Sequence, residues 1–165
     1  MDSIKQINEL TKNDFISIFE NVFEKSNWIA EKAYMHIPFV NYDDLKNKFL
    51  EIFEKETQKN HIKIINSHPD LGIKENMTMD SKIEQSKSEL DKCTKEEYEE
   101  FKILNESYMI KFGFPFIICI SNMNKFEILD KFKNRIKNNK NTEFEETKKE
   151  IKKIAFLRLE KIYKK

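Results

Sequence analysis

Apolar residues recur along this chain at helical spacing almost from end to end. Phe15, Ile18, Phe19, Val22 and Phe23 follow the i, i+3, i+4, i+7, i+8 rule of an amphipathic helix, with Asn13 ahead of them as its N-cap. Ser26 caps a second segment that carries Trp28, Ala30, Ala33 and Tyr34 and stops near Pro38. A third runs from about Asp43, with Leu45, Phe49, Ile52 and Phe53 on one stripe. Thr94 and Glu97 have the spacing of a capping box ahead of Tyr98, Phe101, Leu104 and Tyr108, and Gly113 supplies the stop. Asn124 opens another helix with Phe126, Leu129 and Phe132. Thr142 and Glu145 form a second capping box before a last helix, whose stripe includes Phe144, Ile151, Ile154, Ala155 and Ile162. The patterning predicts an all-α fold: one helical domain over residues 1–165, with no repeat and no linker rich in Gly, Pro or Ser.

Two places break this regularity. The chain has only 2 glycines and 3 prolines, yet NSHPDLGI at 66–73 holds one of each and KFGFPFII at 111–118 holds another pair. Within the second, Phe114 to Ile120 is a continuous apolar run that suits a buried extended segment, and no second strand is evident to pair with it. Its backbone N–H and C=O groups need partners from side chains, a helical turn or a polar ligand.

Composition narrows the class. With 14 phenylalanines and 39% hydrophobic residues, 165 residues suffice for a continuous core. The balance of 30 Lys and Arg against 29 Asp and Glu creates no field that would draw in nucleic acid or an anionic membrane. No apolar run approaches the roughly 20 residues that span a bilayer, and no signal-peptide core or SKL tripeptide is present. Cys93 and Cys119 make neither a CxxC pair nor a metal-site spacing, so reduced thiols in the cytoplasm are expected.

The candidate chemistry lies at and after the first irregular stretch. Pro69 biases His68 towards an extended backbone and Gly72 permits a sharp turn, which presents the imidazole from a rigid junction. In a helix starting near Asp80, Ser81, Glu84 and Gln85 share a face, with Ser88 a turn further on. That face is either solvated or able to orient a polar heterocycle and tune an imidazole. Arg158 falls on the apolar stripe of the last helix, four residues after Ile154, where a guanidinium either snorkels or meets an anion in a desolvated pocket. His61 and His68 would lie about 10 Å apart along a shared helix, too far for one ion, and no HExxH is present.

SNWIAEKA at 26–33, SHPDLG at 67–72, SKIEQ at 81–85, LNESYMIKFGFPFIICI at 104–120 and KIAFLRL at 153–159 together resemble the 2-oxo-4-hydroxy-4-carboxy-5-ureidoimidazoline (OHCU) decarboxylases of uric acid degradation. The resemblance implies an all-α fold, a homodimer, and conversion of a small-molecule substrate to (S)-allantoin with loss of CO2 and without metal or organic cofactor. It gives the catalytic roles to His68 and Glu84, and substrate contacts to Pro69, Ser81, Gln85, Arg158 and the segment Phe116, Ile117 and Ile118, partly through backbone groups. One departure stands out: Ser88 and Glu89 replace a small Ala-Gly pair common in the family. A non-catalytic helical module on the same fold, or a hydrolase of a related ureido compound, is the alternative reading.

Overall fold

The computed structural model describes residues 3–72 and 78–164. Among them are α1 (Ile4–Asn8), α2 (Lys12–Phe19), α3 (Asn27–Tyr34), α4 (Tyr42–Glu54), α5 (Gln58–Ile65), α6 (Met79–Lys87), a 3-10 turn (Leu90–Lys92), α7 (Lys95–Phe112), α8 (Lys125–Arg135) and α9 (Lys140–Tyr163). No strand occurs among the described residues, in agreement with the helical periodicity. No described helix is long and apolar enough to cross a membrane.

The chain gathers into two compact units, one formed by residues 1–64 and 152–165, the other by residues 65–151. In the first, α2 packs on α3 and α3 on α4 around an aromatic core. Phe15 lies 4.5 Å from Phe19, and Phe23 stacks on Phe53 at 4.9 Å. Here α2 starts earlier than the pattern suggests. Thr11, not Asn13, is its N-cap and accepts from Asp14 N–H, and the helix closes at Phe19. Val22 and Phe23 are buried from the turn beyond it, so their helical spacing comes from core burial and not from helical backbone. Ser26 does precede α3, but its hydroxyl bonds the Glu24 carbonyl and caps no N–H.

In the second unit the Thr94–Glu97 capping box is present, and Gly113 ends α7 at φ 80°. Phe101, Tyr108, Phe112, Phe114, Phe116, Ile128 and Phe132 form its core, with Phe116 stacked 3.8 Å from Phe132. Asn124 caps α8 in a full capping box with Glu127. Phe126 is nevertheless 65% exposed, because Ile128 and Phe132 define the inner face of α8 and a residue two before Ile128 falls off it. The expected Thr142–Glu145 box does not form. Thr142 already lies inside α9, its N–H donating to Asn139 Oδ1 at 2.9 Å.

The Ser88–Glu89 departure has a geometric meaning. Ser88 is the C-cap of α6 and Glu89, the next residue, adopts the left-handed conformation at φ 59° that helix ends commonly give to glycine. A side chain there costs about 1–2 kcal/mol, partly offset by the greater unfolded-chain entropy of glycine. Glu89→Gly is therefore expected to raise stability by roughly 0.5–1 kcal/mol, seen as a higher thermal midpoint. Ser88 makes its own use of the position, its buried hydroxyl donating to the Ile120 carbonyl at 3.0 Å.

Candidate active site

The His-Pro loop leaves the end of α5 in a turn, with His68 N–H donating to the Ile65 carbonyl at 3.1 Å. α5 stops at Ile65, so His61 and His68 do not share a helix. His61 has structural partners, its Nε2 lying 2.7 Å from the Phe53 carbonyl. His68 as a whole is 9% exposed.

Two helices hold the backbone after it. From α6, the Gln85 carboxamide accepts from Gly72 N–H at 3.1 Å and donates to the Asp70 carbonyl at 3.4 Å. From α7, Asn105 Nδ2 donates to the Leu71 carbonyl at 3.0 Å. Gly72 is required twice over: its φ is 74°, and a Cβ there would stand 3.3 Å from Phe101 Cγ. Burial pushes the Asp70 carboxyl above the ordinary aspartate range.

α6 begins one residue before Asp80, with Thr78 as N-cap accepting from Ser81 N–H. Ser81 and Gln85 are buried and Glu84 is half-buried, so the polar face is not simply a wet one. The structure thus joins the loop of His68 and Pro69 to the helix of Ser81, Glu84 and Gln85 through the Gln85 amide. Both ends of that amide are engaged with loop backbone, which gives Gln85 a positioning duty in addition to any ligand contact.

Residues 115–120 form neither helix nor strand. Side chains meet several of their backbone groups: Arg135 Nη1 donates to the Ile117 carbonyl at 2.6 Å, Cys119 N–H donates to Glu150 Oε2 at 2.7 Å, and Ser88 serves Ile120. The N–H and C=O of Phe116 and Ile118 have no hydrogen bond to another described residue, and both residues are buried.

Arg158 lies in the other unit, buried on α9 as its place on the apolar stripe suggests. The anion it meets is Glu24, whose Oε2 accepts from Nη1 at 2.8 Å, and the Asn21 carbonyl accepts from the same nitrogen at 2.8 Å. Asn105 and Arg135 escaped the sequence reading. Their signal was a polar residue on the buried stripe Phe101, Tyr108, Phe112 in one case, and in the other a rare arginine, one of only two among 30 basic residues. Among the described residues no group of three His, Cys, Asp or Glu could hold a metal ion.

Fold and site define a small all-α protein that presents a buried imidazole from a clamped loop, beside a helix bearing a hydroxyl, a carboxylate and an amide. The family profile described as OHCU decarboxylase matches residues 8–160. A 2-oxo-4-hydroxy-4-carboxy-5-ureidoimidazoline decarboxylase of Haloferax volcanii is 34% identical over 95% of this chain and 94% of its own length. A uric acid degradation bifunctional protein of Bacillus sp. strain TB-90 is 39% identical over 99% of this chain, which spans 33% of that protein. The crystal structure of an OHCU decarboxylase in the presence of (S)-allantoin superposes with a TM-score of 0.74 at 25% identity, covering 88% of this chain and 96% of that one. The chain belongs to the OHCU decarboxylase family.

Proposed function

We infer that this protein is a carboxy-lyase that decarboxylates OHCU to (S)-allantoin in uric acid degradation. The observation that carries the reading is the buried His68 loop, fastened by Gln85 to the helix that also bears Ser81 and Glu84, in a chain of this family. The reading spans residues 1–165 as one functional domain, supported by a family match over 8–160.

The reaction breaks the bond from ring carbon 4 to its carboxylate. The electron pair moves into a new double bond to carbon 5, and the adjacent imine takes up electrons at its nitrogen, which gains a proton. The 4-hydroxyl then gives up its proton to become a carbonyl, while carbon 5 receives one on a single face. The substrate is its own electron sink. The protein must hold the carboxylate, move these protons and choose the face. His68 is the general acid/base and Glu84 orients it and favours its charged form. Pro69, Ser81 and Gln85 contact the ureido and ring amides, together with backbone groups of Phe116, Ile117 and Ile118. Arg158 is assigned the substrate anion or carbonyl, its planar fork suiting that task.

Circular dichroism of the product from freshly generated OHCU tests this. The expected result is rapid formation of one allantoin enantiomer with CO2 release. Slow racemic decay identical to the protein-free reaction would leave a non-catalytic helical module, and release of ammonia or urea would point to a hydrolase. Cytoplasmic residence belongs to the same reading and is checked by cell fractionation. So does a homodimer, supported by the exposed Ile103 and Ile110 of α7, 60% and 86% accessible and seven residues apart on one face. A monomer mass in light scattering would reject it.

A further inference from the structure

We propose that Arg135 is a positioning residue for this reaction, fixing the Phe116–Ile118 backbone in the orientation that receives substrate. The proposal rests on the decarboxylase reading above and deepens the part played by residues 116–118.

A segment outside helix and sheet has no ladder to set the direction of its peptide groups, so something else must do so. Arg135 reaches two consecutive residues of the segment. Nη1 donates to the Ile117 carbonyl at 2.6 Å, and the guanidinium carbon lies 4.7 Å from the Phe116 ring centroid. The rest of the fork is held from α9: Nε and Nη2 donate to Glu143 Oε1 at 2.9 and 2.5 Å, and Nη2 donates to Thr147 Oγ1 at 3.2 Å. Glu143 is held in turn, since Tyr108 Oη donates to Oε1 and Asn138 Nδ2 donates to Oε2 at 2.7 Å. The guanidinium plane is therefore set by α9 and its partners, and Nη1 is left aimed at the Ile117 carbonyl.

A trans peptide unit is planar, with its C=O and N–H pointing in opposite directions. Turning the Ile117 carbonyl towards Arg135 therefore turns the Ile118 N–H, which belongs to the same peptide unit, away from it. The Ile118 N–H, like the Phe116 and Ile118 carbonyls, has no hydrogen bond to another described residue, and these are the groups a ureido or ring amide could meet. A lysine has a single nitrogen and cannot hold Glu143, Thr147 and Ile117 in one plane. That accounts for an arginine here in a chain whose other basic residues, Arg158 apart, are all lysines.

Arg135→Lys keeps the charge and tests the geometry. Steady-state kinetics with OHCU should give kcat/KM lower by at least about tenfold, chiefly through KM. Hydrogen–deuterium exchange should quicken in the peptide covering 114–120 while the middle of α7 keeps its protection. An unchanged KM, unchanged exchange at 114–120, or exchange quickened equally in every helix would each overturn the proposal. If Arg135→Lys does not fold, Thr147→Val, which removes one bond to the guanidinium, should give smaller changes in the same two readouts, and no change in either overturns the proposal. Should the wild-type protein fail to decarboxylate OHCU, the functional reading falls. Exchange at 114–120 then still decides whether Arg135 sets the segment, with faster local exchange supporting it and unchanged exchange rejecting it.

Discussion

Replacing His68 with asparagine is expected to lower kcat by about 10²–10⁴-fold, the usual range for removing a general acid/base. Asparagine fills much of the same space and can still form hydrogen bonds, but it cannot take up or release a proton near neutral pH. The loop carrying position 68 is held by contacts that do not involve the imidazole: Gln85 on Gly72 and Asp70, and Asn105 on Leu71. The variant should therefore keep its helical circular dichroism and thermal midpoint while its residual product becomes racemic. Wild-type turnover by a folded His68→Asn protein would remove the imidazole from the mechanism.

The largest effect on stability is expected from Glu143→Ala. Glu143 is fully buried and accepts hydrogen bonds from Tyr108, Arg135 and Asn138. Burial first, and the neighbouring Glu143 carboxylate next, push the Tyr108 phenol well above its ordinary range, so it stays protonated and donating. Without the carboxylate, a part-buried guanidinium loses its counter-ion and two neutral donors lose their acceptor. Breaking such a pair from one side costs about 3–5 kcal/mol, a large share of the roughly 5–15 kcal/mol that holds a domain together. Urea denaturation would register it as a fall in midpoint with little change in slope. Glu51 makes a useful contrast. Hydrogen bonds from Lys48 and Lys55 bring its carboxyl down to about 2, yet it is exposed, and Glu51→Ala should leave the midpoint essentially unmoved. Equal effects of the two substitutions would sink the argument that burial of the Glu143 cluster is what matters.

The two predictions draw on different parts of the chain's legibility. His68 could be singled out because Pro and Gly are so scarce that their placement beside a histidine marks a deliberate break in helical pattern. Glu143 could not, because one carboxylate among 29 acidic residues has no local feature that reveals whether it faces water or a core. The helix start at Thr11 was missed for a related reason. Thr11 and Asn13 both have capping side chains, and which one caps depends on backbone geometry that a list of residues does not contain. The Thr142–Glu145 spacing misled in the same way, since a capping box inside a continuous helix has no end to cap.

By itself the sequence determined the helical class, the break in helical structure at 114–120 and the family, because periodicity, Gly and Pro placement, and ordered motifs are all local properties of the chain. Tertiary structure decided what those motifs touch. It turned Gln85 onto the backbone of the His68 loop, met Arg158 with Glu24, placed Glu89 in a glycine-like conformation and brought Arg135 to the Ile117 carbonyl. Contacts between residues far apart in sequence exist only once burial removes water as the competing partner, and no spacing rule along a single chain encodes that exchange.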